Sequence, residues 1–242
     1  MSVTNDNIMT FDTPPSLAVP EEEGFGVIWD MDGTMVDTAE LHFQAWKETA
    51  AELGRPFTRA DFQATFGLRN PEIIPLLFGD RFSLAEINAF GDLKEERYRA
   101  AARSGVVLLP GVGELLAALH AEGFMQGIGS SAPRANLELI LEMTGTRRYF
   151  QTLVGMEDVQ RGKPDPQVFL VASQRLCRSP AKCLVFEDAV AGVQAAKAAG
   201  MKCIAVRFAG HHGEESLWEA GADMVFETLS ELTTTTVGNL WR

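Results

Sequence analysis

A parallel α/β sheet interrupted by one block of helices is the fold class that the sequence predicts, and three features predict it. An apolar run at residues 24–29 (GFGVIW) ends abruptly at Asp30, as a buried parallel strand does. The stretch that follows, to about residue 103, carries helical periodicity and no convincing strand. Beyond Leu109-Pro110-Gly111, helical and strand signals alternate with short connections.

Taken in order, the helical block begins with Leu41, Ala45, Thr49 and Leu53 at helical spacing, with Gly54 as a stop. Further helices are expected around 59–65, 71–78 and 83–103. The alternating part then reads as helix 112–122 stopped by Gly123, strand 124–129, helix 133–143 and a short strand near Leu153. Helix 166–176, strand 183–186, helix 189–199 stopped by Gly200, strand 202–206 and a last strand at 224–226 complete it. Residues 233–242 carry little signal. The chain thus divides into a loose tail at 1–23, a core at 24–37 and 107–242, and a helical cap at 38–106. The tail is polar, acidic and Pro-bearing, and it lacks the basic segment and apolar stretch of a secretory signal.

The 242 residues suit one large domain, or a core with a smaller insertion. A formal net charge of -12 repels nucleic acid and anionic membranes, so neither is expected as a partner. A phosphorylated small molecule stays open as a substrate, because a metal ion and a few lysines can invert the field inside one cleft. The cysteines Cys177, Cys183 and Cys203 are odd in number and none is paired in CxxC spacing. Cys183 and Cys203 sit in apolar runs and read as buried core thiols, which fits a reducing cytoplasm. No apolar run approaches the roughly 18 residues of a membrane span. A cytoplasmic monomer is expected.

In open parallel sheets ligands bind outside the carboxyl ends of the strands, so the residues that follow each strand are the candidates. Asp30-Met31-Asp32-Gly33-Thr34 follow the first, Ser130 and Ser131 the second, Arg161-Gly162-Lys163-Pro164-Asp165-Pro166 the third, and Glu187-Asp188 the fourth. Asp30 and Asp32, two apart on an extended backbone, place both carboxylates on one side. A cation would hold one as the anion and leave the other to carry a proton. Asp188 could complete a hard oxygen site suited to magnesium. Gly33 permits an unusual turn, Ser130 and helix N-terminal amides suit a phosphate oxygen, and Lys163 supplies a compact positive charge. Alone, each reads as well as a turn, an N-cap or a charge pair at a helix start. Their joint placement, each after a different strand, is what those readings do not predict.

With these residues in order, the sequence resembles the haloacid dehalogenase-like superfamily of phosphohydrolases. Its D-x-D-G-T-x-x-D signature stands at Asp30 to Asp37, its strand-end serine at Ser130 in GIGSS, its lysine at Lys163 in GKPDP, and its acidic pair at Glu187-Asp188. The resemblance covers about residues 25–226. It implies a Rossmann-like core with a helical cap inserted after the first strand. It also implies that Asp30 attacks phosphorus to give an aspartyl-phosphate, while Asp32 protonates the leaving oxygen and then activates water. Mg2+ would be held by Asp30, the carbonyl of Asp32 and Asp188, with Glu187 a ligand through water or a partner behind them. Ser130, Ser131 and Lys163 would clamp the phosphoryl oxygens.

Within the superfamily, residues 37–47 resemble β-phosphoglucomutase and its phosphatase relatives. His42 matches a cap histidine that assists in those mutases. The loop Phe66-Gly67-Leu68-Arg69-Asn70 resembles their specificity loop, with Arg69 offset by about one position. A lysine and asparagine that follow the strand-end serine in the mutases are replaced by Ala132-Pro133-Arg134. The expected function is a Mg-dependent phosphatase of a small phosphorylated metabolite, a sugar phosphate, with a phosphomutase as the alternative. Dehalogenation needs neither Asp32 nor Asp188, and a relic binding protein would not need Asp30, Asp32, Lys163 and Asp188 together. The two crossings between core and cap, near Asp37-Thr38 and Leu109-Pro110-Gly111, are expected to act as hinges.

Overall fold

The strands of the protein are β1 (Gly26–Trp29), β2 (Met125–Gly129), β3 (Thr152–Val154), β4 (Cys183–Glu187), β5 (Lys202–Val206) and β6 (Met224–Phe226). They form one six-stranded sheet in the order β3-β2-β1-β4-β5-β6, every pair parallel. The computed structural model describes residues 24–209 and 212–241, so the tail expected at 1–23 lies outside the described residues. The fold class is the one expected, a Rossmann-like α/β core carrying helices inserted after β1.

The period-two alternation of each strand feeds two apolar layers. Val27, Trp29, Leu184, Phe186, Ile204 and Val206 face one cluster. Ile28, Cys183, Val185, Cys203 and Ala205 face the other. Helices α5 (Val112–Ala121), α6 (Arg134–Thr144) and α10 (Thr234–Asn239) cover the first face. Helices α7 (Gln167–Arg175), α8 (Val190–Ala198) and α9 (Glu214–Glu219) cover the second. Because both faces are covered, β1 is apolar throughout, β4 is apolar up to Glu187 at its carboxyl end, and the buried Gln126 of β2 is hydrogen-bonded within the core. Cys183 and Cys203 are the buried core thiols expected, and burial pushes the Cys183 thiol up to about 12 and that of Cys203 well above its ordinary range.

The inserted helices are α1 (Ala39–Glu52), α2 (Arg59–Thr65), α3 (Asn70–Phe78) and α4 (Leu84–Ala102). Reciprocal capping boxes start two of them, Thr58 with Asp61 and Ser83 with Glu86. They enclose their own apolar cluster around Phe43, Trp46, Phe57, Phe62, Ile73 and Ile74. At the base Ala45 and Tyr98 join the core cluster instead. The two chain crossings run side by side, with the Leu109 N–H donating to the Met35 carbonyl (2.8 Å) and Val36 bridging Leu108. No helix among the described residues is long and apolar enough to cross a membrane.

Helices α9 and α10 are elements the sequence does not announce, and α10 is the less expected of the two. Its TTTVGN stretch has β-branched residues of weak helical preference. It forms because the Thr233 hydroxyl accepts from the Thr236 N–H (3.1 Å) and Val237 is fully buried.

At the centre, Trp29 and Phe186 lie opposite each other on adjacent strands with ring centroids 4.4 Å apart. The Trp29 indole N–H donates to Gln126 Oε1 (3.1 Å), and Gln126 donates in turn to the Leu116 carbonyl (3.0 Å). Trp29→Phe removes one buried donor and strands that oxygen. Urea denaturation should show a loss of about 1–3 kcal/mol, and an unchanged midpoint would contradict this account of the core.

Candidate active site

β1 and β4 are neighbours, so the residues that follow them emerge side by side at the carboxyl edge of the sheet. The Asp30 N–H donates to the Phe186 carbonyl (2.9 Å), which carries the ladder one residue past β1 and sets Asp30 beside Glu187 and Asp188. Lys163 arrives on the loop between β3 and α7. Its Nζ donates to Asp30 Oδ1 (2.6 Å) and to Glu187 Oε1 (2.7 Å). The other Glu187 oxygen accepts from the backbone N–H groups of Asp188 and Ala189, both at 2.8 Å, where α8 begins. A Cβ at Gly192, in the first turn of α8, would occupy the space of the Glu187 carboxylate. Gly33 holds φ at 87°, and a Cβ there would strike the Asp188 carboxylate.

All these ionic groups are buried. Burial would lower the Lys163 amine, yet Asp30 and Glu187 outweigh it and keep the ammonium charged. Burial pushes the Asp30 carboxyl up to about 8, Lys163 opposing and Glu187 and Asp32 adding to the rise. Asp188 lies well above the carboxylate range through burial, then Glu187 and Asp30. Asp188 Oδ2 is buried with no hydrogen-bond partner among the described residues. Asp30, Glu187 and Asp188 each offer an oxygen, and these oxygens lie within 4.8 Å of one another. Crowded anions and an unsatisfied buried carboxylate oxygen fit a hard divalent cation.

Asp32 lies in a different environment. A tight turn carries it, with the Gly33 N–H donating to the Val36 carbonyl (2.8 Å). Asp32 Oδ1 accepts from the Thr38 hydroxyl (2.5 Å) and the Tyr98 hydroxyl (3.3 Å), and His42 Nε2 lies 3.2 Å from it. Burial alone would raise this carboxyl, but His42, Thr38 and Lys94 together hold it down at about 2. His42 stacks on Tyr98 with centroids 4.0 Å apart, and its Nδ1 lies 2.7 Å from Lys94 Nζ. A charged Lys94 can only donate, which assigns the proton of a neutral His42 ring to Nε2, facing Asp32. Lys94 also donates to Glu95 Oε1 (2.8 Å). Asn70 donates to the same oxygen (2.8 Å) and Asn136, from α6 in the core, to Glu95 Oε2 (2.6 Å).

A cleft between cap and sheet edge is lined by Asp30, Asp32, Ser130, Ser131, Lys163, Glu187 and Asp188 from the core and His42, Asn70, Lys94 and Glu95 from the cap. Ser130 Oγ accepts from the Ala132 N–H (3.1 Å), and Ser131 Oγ is buried without a partner among the described residues. Arg69, expected near substrate, is placed outside this lining. Its guanidinium donates to Glu72 (2.6 Å and 3.0 Å) and to the carbonyls of Val159 (3.3 Å) and Gln160 (3.0 Å), while Glu72 accepts from the Gly162 N–H (3.2 Å). Glu72, one turn into α3, captures the arginine and ties the cap to the loop that carries Lys163. Sequence reasoning missed Thr38, Lys94, Glu95, Tyr98 and Asn136. The one available signal was the i, i+4 spacing of Lys94 and Tyr98 on a helix.

Comparison with known proteins identifies the family and the fold. A family model described as haloacid dehalogenase-like hydrolase matches residues 27–206. The β-phosphoglucomutase of Bacillus subtilis is 35% identical over 222 residues, 89% of this chain and 94% of that protein. The fructose-1-phosphate phosphatase of Escherichia coli is 35% identical over 189 residues, 75% of this chain and 96% of its own. In fold, the crystal structure of β-phosphoglucomutase from Clostridium difficile superposes with a TM-score of 0.81 at 23% identity, covering 90% of this chain and 97% of that one.

Asp30 raised to about 8 without a cation must lose its proton when one binds. Titration of a divalent cation into the protein at pH 7 should therefore release protons, and the binding heat should differ between buffers of different ionisation enthalpy. Affinity should rise from pH 6 to pH 8. A heat and affinity independent of buffer and pH would contradict the assignment.

Proposed function

The chain belongs to the haloacid dehalogenase-like hydrolases, and on that premise we propose that it is a magnesium-dependent phosphatase of a small phosphorylated metabolite, a sugar phosphate. The observation that supports this most strongly is the opposed setting of two carboxylates in one cleft. Asp30 is crowded by anions and bonded to Lys163, and Asp32 is held ionised by His42 and Thr38. Two titratable groups whose surroundings push them apart are suited to different roles.

In this reading Asp30 attacks phosphorus. The bond from Asp30 oxygen to phosphorus forms as the bond to the leaving oxygen breaks, and that oxygen takes a proton from Asp32. Asp32 then takes a proton from water, which attacks phosphorus, restores the Asp30 carboxylate and releases inorganic phosphate. Asp32 must be protonated when substrate is bound. An arriving phosphate dianion raises its pKa, because like charge favours the neutral form. Lys163 offsets the charge of Asp30 as the anionic phosphoryl group approaches. The Ser130 and Ser131 hydroxyls supply donors to its oxygens, Ser131 Oγ having no partner among the described residues. Magnesium held by Asp30, Asp188 and the Asp32 carbonyl, with Glu187 behind them, would neutralise phosphoryl charge.

A second reading, a phosphomutase, is favoured by the Bacillus subtilis relative, which matches this chain along nearly its whole length. The core steps are shared, and the acceptor is a sugar hydroxyl in place of water.

A panel of sugar phosphates with magnesium, followed for both free phosphate and isomerised sugar, separates the two. Phosphate release is expected, and Asp32→Asn should lower kcat by about 10²–10⁴-fold. Conversion of β-glucose 1-phosphate to the 6-phosphate faster than phosphate release would put the mutase in its place.

A further inference from the structure

The charges that line the cleft are unevenly matched. Among the described residues, Asp30, Asp32, Glu95, Glu187 and Asp188 are carboxylates, against the ammonium groups of Lys94 and Lys163. Both lysines are committed, Lys163 between Asp30 and Glu187 and Lys94 between Glu95 and His42. The neighbouring arginines are committed elsewhere: Arg69 to Glu72 and two core carbonyls, Arg99 to Asn136 (2.9 Å) and Arg134 to Asp158 (2.8 Å). A divalent cation and Lys163 can serve the one phosphoryl group that reacts. Among the described residues that line the cleft, no uncommitted cation is left on the cap side for a second anion.

Glu95 makes this more than a deficit. It is 4% exposed yet lines the cleft. Burial opposes its charge, but Lys94, His42 and Asn70 together keep it ionised. Oε1 takes two donors, from Lys94 and Asn70, and Oε2 takes one, from Asn136, which leaves Oε2 able to accept another. A carboxylate so held can only accept. It rewards a ligand that brings a hydroxyl and opposes one that brings a phosphate or carboxylate.

We propose that Glu95 is a specificity-determining residue, one that selects a neutral, hydroxyl-bearing leaving group and excludes substrates with a second anionic group. The inference rests on the phosphatase reading and names its substrate class: polyol or sugar monophosphates, not bisphosphates. Arg69 and Asn136 support it, the first by staying bound outside the cleft and the second by fixing the Glu95 carboxylate from the core side.

Two matched pairs test it in the full chain with magnesium: fructose 1-phosphate against fructose 1,6-bisphosphate, and glucose 6-phosphate against glucose 1,6-bisphosphate. The wild-type protein should prefer the monophosphate in kcat/KM by about 100-fold, and Glu95→Gln should shrink that ratio at least about tenfold by removing the repulsion. A wild type that takes the bisphosphates equally well overturns the proposal. So does a Glu95→Gln protein that loses activity on both members of a pair in equal measure, since that is what a structural role alone would give. Calorimetric binding of the same sugars to Asp30→Asn, with Glu95 intact, reads the preference without turnover or a folded Glu95 variant. Equal affinities there would also overturn the proposal. Failure to release phosphate from any monoester would instead count against the phosphatase reading, and the binding ratio would still decide this one.

Discussion

The structure depends on the burial of a lysine between two carboxylates at the edge of a parallel sheet. Lys163, Asp30 and Glu187 are each at most 6% exposed, and Asp188 is buried beside them. Ions taken out of water in this way lose hydration that mutual attraction repays only where geometry is fixed and the remaining lone pairs are satisfied. Strand order supplies the fixed geometry, because the adjacency of β1 and β4 brings Asp30 against Glu187 and Asp188. The start of α8 supplies the satisfaction, since two backbone N–H groups hold the second Glu187 oxygen. What remains over, the Asp188 oxygen without a partner and a raised Asp30, is a demand for positive charge. The fold thus stores, at one end of its sheet, an electrostatic imbalance that a bound cation would relieve.

The cap completes a second polarity. Asp32 leaves β1 on a turn that faces the cap, and its partners Thr38, His42 and Tyr98 all come from cap elements or from the crossing into them. Two polar seams then join the cap to the core. One runs from Lys94 through Glu95 to Asn136 on α6, and the other from Arg69 and Glu72 to the loop just before Lys163. In this closed arrangement the Asp32 carboxylate and the lysine loop are both set by cap contacts. A cleft closed this way excludes water from the reacting atoms and strengthens the charges within it.

Much of this was legible in the sequence. Asp30, Ser130, Lys163, Glu187 and Asp188 could be read because each follows a strand signal, and parallel topology brings such positions to one edge whatever the side chains are. The insertion could be read because its period changes from 2 to 3.6 at Thr38. The cap side of the site could not. Lys94 and Glu95 stand in LKEERYR, where alternating charges are indistinguishable from a solvated helix face, and only the approach of His42, Asn70 and Asn136 gives them partners. Arg69 was read as a substrate group because its loop faces the cleft in outline. The side chain turns away because Glu72, three residues on, captures the guanidinium more closely than any group across the cleft. Contacts set by how one domain packs on another have no local pattern for a sequence to carry.

The central claim is that Asp30, and not Asp32, carries the phosphoryl group in turn. An enzyme mixed with a turning-over sugar phosphate and magnesium, then quenched with borohydride, converts any aspartyl-phosphate to homoserine, which peptide mass analysis can locate. The account predicts that conversion at position 30 and at no other aspartate. Phosphate release with position 30 unmodified, or conversion at position 32, would contradict it.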